Sequence, residues 1–271
     1  MNINEYLNNL PDSSETVNLM EQNLTELPDL SRFYNLKNLF CGGNQLTSLP
    51  ILPNIKVLNV SGNKLTTIRI FPNIERLNIA GNYLTNIPIF PNLYELHCGK
   101  NELTQIPIMP YLRELTCEHN NLSNLPILLN LKELRCDENK LTSIPILPKL
   151  EKMSCETNHL TYLPVLINLN ELCCQNNQLT SMPFLPVLKK LNCSGNLLYE
   201  FIGEVNVIRN TYVHFRFKYL YYLLKFKKRF RDWLWIKVRE PKIREQYSTA
   251  NLLKLLDGKD DKDLEHLLET W

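Results

Sequence analysis

The eight cysteines are the most reactive side chains in this 271-residue sequence, and their spacing decides what chemistry they can support. Seven of them, Cys41, Cys98, Cys117, Cys136, Cys155, Cys174 and Cys193, stand at multiples of nineteen residues from one another. Thiols in such a series could pair as disulfides, ligate a metal or act as nucleophiles. Metal ligation is disfavoured because neither a C-x-x-C pair nor a His partner accompanies them. Disulfides are disfavoured because in-register strands hold Cβ atoms near 4.8 Å, whereas a bridge wants about 3.8 Å. The expectation is a column of buried thiols, each behaving as a small hydrophobe. Cys173 is the exception, since it falls on the opposite face and is the one candidate for reactivity.

Other catalytic signatures are missing. The sequence carries no H-E-x-x-H, no phosphate-loop glycine pattern and no G-x-S-x-G, and its five histidines are scattered at 97, 119, 159, 214 and 266. No catalytic residue, metal site or cofactor is expected, and the protein reads as non-enzymatic.

The element that positions these thiols is a unit clearest at residues 131–148, LKELRCDENKLTSIPILP. Its Asn recurs at 44, 63, 82, 101, 120, 139, 158, 177 and 196, nineteen residues apart, and Gln22 takes that place in a longer first unit 22 residues ahead. Such a period means a solenoid in which one repeat makes one turn. The template is L-x-x-L-x-C-x-x-N-x-L-T-x-I-P-x-L-P-x. Its L-x-C core alternates with period two, which predicts a short strand with Leu134 and Cys136 inward and Glu133, Arg135 and Asp137 outward. Stacked strands then form one parallel sheet. Pro145 and Pro148 break a helix and favour extended polyproline geometry, so the return path is predicted to be extended and the curvature shallow. The Asn is predicted to satisfy backbone groups where the chain bends off each strand.

These residues resemble those of leucine-rich repeat proteins over residues 15–203, and the short unit is similar to the repeats of secreted bacterial effectors. The stretch EPKIREQYSTANLLKLLDGKDDKDLEHLLETW resembles tails of proteins from giant DNA viruses of the mimivirus type. The resemblance implies an α/β solenoid: a leucine-rich repeat arc with a parallel β-sheet on the concave side, an extended convex side and helical caps at both ends. It also implies a scaffold that binds a protein partner. Some effectors with similar repeats carry a ubiquitin-ligase domain acting through Cys, but no Cys lies in residues 204–271.

The predicted organisation is an N-terminal helical cap over residues 1–14, a ten-repeat array over 15–203 and a basic helical region over 204–271. The cap follows from Ile3, Tyr6, Leu7 and Leu10 at helical spacing before Pro11. The opening MNINEYLNNL lacks a signal-peptide pattern, so a cytoplasmic location is expected, the host cytoplasm if the chain is viral. The chain is expected to act as a monomer.

Within the array the outward strand positions carry the functional information, because packing dictates the inward ones. The middle repeats place Glu95, Glu114, Glu118, Glu133, Asp137 and Glu156 on one face, with Arg135 among them and Cys173 beside them. Like charges about 5 Å apart repel, which fold stability alone would not select. The two readings are an acidic binding face for a basic protein and an ordinary solvated surface.

The formal charge of +2 hides a strong asymmetry. Residues 207–244 carry twelve Lys or Arg against Asp232 and Glu240, while residues 1–203 carry fifteen basic and eighteen acidic side chains. The basic stretch reads as an amphipathic helix with Ile208, Tyr212, Phe215 and Tyr219 on its apolar face. It could cover the last repeat, or Arg209 to Arg244 could bind an anionic membrane surface or nucleic-acid phosphates. Two functions therefore follow: a binding module using the concave face, and a peripheral tether using the basic segment.

Truncation at Gly203 separates the two roles of the tail. If residues from Val207 onward cap the array, the truncated chain is expected to associate and to melt earlier, because Leu198, Phe201 and the last strand edge become exposed. Sedimentation and thermal denaturation read both effects. A truncated chain that stays monomeric and equally stable makes the tail an independent module.

Overall fold

The computed structural model describes residues 2–183 and 185–198. Ten three-residue strands follow one another: β1 Thr16–Asn18, β2 Asn38–Phe40, β3 Val57–Asn59, β4 Arg76–Asn78, β5 Glu95–His97, β6 Glu114–Thr116, β7 Glu133–Arg135, β8 Lys152–Ser154, β9 Glu171–Cys173 and β10 Lys190–Asn192. They pair in sequence order into one parallel sheet. The register repeats without slippage, so Glu114 lies beside Glu133, Leu115 beside Leu134 and Thr116 beside Arg135. The period-two reading holds: the central residue of strands β1 to β9 is buried while its neighbours are partly or fully exposed.

One continuous core runs through the array, built from the inward Leu column of the strands, the Cys column and the Leu after each Asn. The third wall comes from the return segments, which place Leu52, Phe71, Phe90, Met109, Leu128, Leu147 and Leu166 inward. The seven column thiols are free and buried. Burial pushes the Cys41 thiol up to about 12 and raises the others in the column as well. They stay protonated, and two donate to the next turn, Cys136 Sγ to Ser154 O at 3.4 Å and Cys155 Sγ to Cys173 O at 3.5 Å.

The Asn column locks each turn to the one before it. Asn120 Nδ2 donates to Cys117 O at 3.1 Å and Glu118 O at 3.2 Å in its own turn and to Cys98 O at 3.0 Å in the preceding one. Its Oδ1 accepts from Leu103 N at 2.9 Å. The same set recurs at Asn139 and, by its fixed geometry, along the column. The eight residues from Asn44 to Asn177 are the only buried polar side chains among the described residues.

The residue before each Asn turns left-handed. Glycine fills that place at Gly43, Gly62, Gly81 and Gly195, but Lys100, His119, Glu138, Thr157 and Asn176 hold φ between 51° and 54°. For a β-branched residue such as Thr157 that conformation is strained.

No helix occurs in the return segments among the described residues, as the prolines require. A second Asn series ties them together: Asn73, Asn92, Asn130 and Asn168 each donate to the Pro carbonyl twenty residues earlier, at 2.7 to 2.9 Å. Proline supplies an acceptor but no donor, so a side-chain donor is needed there. The template left this position unassigned.

The expected N-terminal helix is shorter than predicted, α1 Ile3–Asn8. Asn2 caps it, Leu7 is buried, and Ile3, Tyr6 and Leu10 pack against the core. Arg32 Nη2 donates to Leu7 O at 3.1 Å and Leu10 O at 2.6 Å, while Asn18 N donates to Tyr6 Oη at 3.1 Å. The predicted C-terminal helices lie outside the described residues.

Two substitutions test this architecture. Asn139→Ala leaves the buried Leu122 N without a partner and removes one of the donors to Cys117 O, Cys136 O and Asp137 O, and is expected to cost about 1 to 3 kcal/mol in equilibrium denaturation. An unchanged midpoint would remove the Asn column as the lock between turns. Thr157→Gly relieves the left-handed strain and is expected to stabilise by about 1 kcal/mol, net of glycine's greater chain entropy.

Candidate functional site: the outward face of the sheet

Three columns of side chains stand outward, one from each end of the strands and one from the residue after the inward Cys. The first column is largely neutralised from rung to rung. Arg76 Nε meets Glu95 Oε2 at 2.7 Å, Lys152 Nζ meets Glu133 Oε1 at 2.7 Å, and Lys190 Nζ meets Glu171 Oε1 at 2.8 Å. Burial pushes the Glu95 carboxyl up, but Arg76 and His97 outweigh it and hold the group below its ordinary range. His97 bridges onward, with Nε2 at 3.0 Å from Glu95 and Nδ1 at 2.9 Å from Thr116 Oγ1. Two of the six predicted acidic residues, Glu95 and Glu133, are thus ion-paired and are not free charges. Glu114 stands between them in register and forms no ion pair among the described residues.

The third column forms no ion pair among the described residues. Glu118, Asp137 and Glu156 follow one another on consecutive turns. Glu118 folds over Gly99, where a Cβ would come within 2.7 Å of its carboxyl carbon, and its Oε2 is buried without a hydrogen-bond partner among the described residues. Asp137 Oδ1 accepts from Ser154 Oγ at 2.6 Å and from Glu156 N at 2.7 Å, so this carboxylate also ties two turns together. Burial raises the Glu156 carboxyl above its ordinary value, and the Asp137 charge raises it further, against a smaller opposing effect of Arg135. Gln175 continues the column with its Oε1 also buried and unpartnered among the described residues.

The second column supplies Arg135, exposed and in register with Thr116 and Ser154, and Cys173, in register with Ser154. Cys173, the expected candidate for reactivity, is a free thiol beside the acidic column. It is half-buried, and burial together with Glu156, Asp137 and Glu171 raises its pKa, so less thiolate forms than on a free cysteine.

Among the described residues no His, Cys, Asp and Glu group could hold a metal ion. The face presents carboxylates at a fixed spacing, one arginine and small polar neighbours. A separate groove of about 750 Å³, lined by Leu27, Leu30, Tyr34, Leu49 and Ile51 with Glu26 and Asp29, opens where the longer first unit meets the second. The sequence signal for it was the step of 22 in place of nineteen.

Residues 34–72 match a family model described as Leucine Rich repeats (2 copies). No curated protein matches the chain by sequence. Among solved structures, YopM from Yersinia enterocolitica is 27% identical with a TM-score of 0.61, over 64% of this chain and 45% of that one. A leucine-rich repeat protein of Leptospira interrogans is 32% identical with a TM-score of 0.66, over 72% and 58%. The functional domain of InlJ from Listeria monocytogenes, which includes a cysteine ladder, is 29% identical with a TM-score of 0.56, over 73% and 51%. The chain thus spans between 45% and 58% of the length of these three structures. The chain is a parallel-strand solenoid whose short repeats resemble the leucine-rich repeats of the bacterial proteins YopM and InlJ.

Proposed function

We propose that the protein is a non-enzymatic scaffold that binds a protein partner through the outward, concave side of its sheet, at the middle repeats. The leucine-rich repeat fold commonly mediates protein–protein interaction, and the neighbouring folds are typically scaffolds. The observation that carries the proposal is the contrast between the first and third columns. In the first column Glu95, Glu133 and Glu171 pair with Arg76, Lys152 and Lys190, whereas Glu118, Asp137 and Glu156 of the third form no ion pair among the described residues. Charges left unpaired on a rigid face are suited to a partner that brings Lys or Arg. The partner's cations would meet several carboxylates at once without ordering a loop.

The second reading is the tether, in which Arg209 to Arg244 bind anionic lipid or nucleic acid. Its support is the excess of ten positive charges in residues 207–244, which lie outside the described residues. Binding of that kind weakens steeply with salt.

One capture experiment separates the readings. Glu114→Gln, Glu118→Gln and Glu156→Gln together remove charge while sparing Asp137, whose carboxylate holds backbone. The control is Glu26→Gln with Glu102→Gln, away from the strands. Proteins retained by the wild-type chain are expected to be lost from the triple variant and kept by the control. Equal retention by both would mean that the acidic column is only a solvated surface. Loss on replacing Lys227, Lys228, Arg229 and Arg231 instead would favour the tether.

A further inference from the structure

The return side carries an apolar column that the core does not use. Ile51, Ile70, Ile89, Ile108, Ile127 and Ile146, ending on Val165, recur every nineteen residues, each immediately before a buried core residue, and each is between 56% and 76% exposed. Beside them Leu129 and Ile167 are exposed as well, in places that proline fills on other turns. Backbone preference explains branching at this position, since a β-branched residue favours the extended conformation. It does not explain why a water-facing site is aliphatic on seven consecutive turns when threonine has the same branching. Taking on the order of 180 Å² for a fully exposed aliphatic residue, these fractions amount to roughly 800 Å² of residue surface, backbone included, against the about 300 to 600 Å² of the largest patch on a typical monomer.

We infer that this ridge is an interface between two copies of the chain, packed back to back and antiparallel. Its exposed area matches the about 800 Å² that each partner contributes to a stable interface of standard size. The ridge is also depleted in charge, as interface cores are, because the flanking positions are mostly Pro and Asn, with Arg69 and Lys149 as exceptions. Period selects the partner. Apolar groups spaced by one solenoid turn of about 4.8 Å are matched rung for rung only by another array of the same turn height. A second copy supplies that spacing, and an antiparallel arrangement closes on itself about a two-fold axis. Full overlap sets Ile51 against Val165 and places Ile108, the fourth of the seven, at the axis. The acidic columns lie on the sheet side and stay open in such a dimer, so this interface stands or falls separately from partner binding.

Sedimentation equilibrium of the full chain over a range of concentrations is the test. The wild type is expected to approach twice the 31.8 kDa chain mass. Ile89→Glu, Ile108→Glu and Ile127→Glu together are expected to weaken the dimer by about 100-fold or more while leaving the circular dichroism spectrum unchanged. Should the triple variant fail to fold, single cysteine replacements give the same answer. Ile108→Cys is expected to form an intermolecular disulfide on mild oxidation, and Ile51→Cys is not. A wild-type chain that stays monomeric overturns the inference, whether the ridge is open or is covered by lipid, another protein or residues 199–271. So does a dimer that survives the triple variant, or cross-linking that is equal at Ile51 and Ile108.

Discussion

Each strand of this solenoid is only three residues long, so the chain leaves the sheet almost as soon as it enters it. At that exit groups such as Cys117 O and Leu103 N have no ladder partner, and leaving such buried groups unpaired costs about 1 to 3 kcal/mol apiece. One carboxamide per turn meets that cost. A carboxamide is suited to the task because it holds two N–H donors and an acceptor in one plane, which neither a hydroxyl nor a carboxylate provides. Since two of its four contacts reach the preceding turn, the Asn joins neighbouring repeats as well as finishing its own bend. The left-handed residue before it follows from the same requirement, because the chain must turn sharply to bring the Asn inward. That need is strong enough to hold Thr157 and His119 at positive φ.

With bend and core satisfied by the repeat, the outward positions are released from folding duties. They divide into columns of different electrostatic character. The first column forms cross-turn ion pairs that are exposed and individually of small value. The third concentrates carboxylates, and at Glu156 burial and the Asp137 charge push the carboxyl pKa up. Asp137 shows how the two demands coexist, since it adds charge to the face and also receives Ser154 Oγ and Glu156 N from the next turn. At Cys173 burial and then its acidic neighbours both push the thiol pKa up.

The return side answers a different constraint. Prolines remove donors and leave their carbonyls to be satisfied, and an exposed Asn series supplies the missing N–H groups from turn to turn. The backbone is thereby fixed in an extended form in which one apolar residue of each Ile-Leu or Ile-Phe pair faces the core and the other faces out. The solenoid thus has two chemically distinct long faces, one charged and one aliphatic.

The sequence by itself determined the period, the inward Leu and Cys columns, the structural Asn and the parallel sheet. Each of these follows from alternation within a few residues and from repetition at a fixed step, and both are visible in a linear string. Gly43, Gly62 and Gly81 also marked the left-handed position, although Lys100, Glu138 and Thr157 concealed it elsewhere. Only the tertiary structure decided which outward carboxylates are free. Arg76 and Glu95, or Lys152 and Glu133, are nineteen residues apart, and whether their side chains meet depends on rotamers that the sequence does not encode locally. It also decided which of Ile51 and Leu52 lies inside. In an extended segment bounded by prolines, two adjacent apolar residues are equivalent until the core on one side takes up one of them.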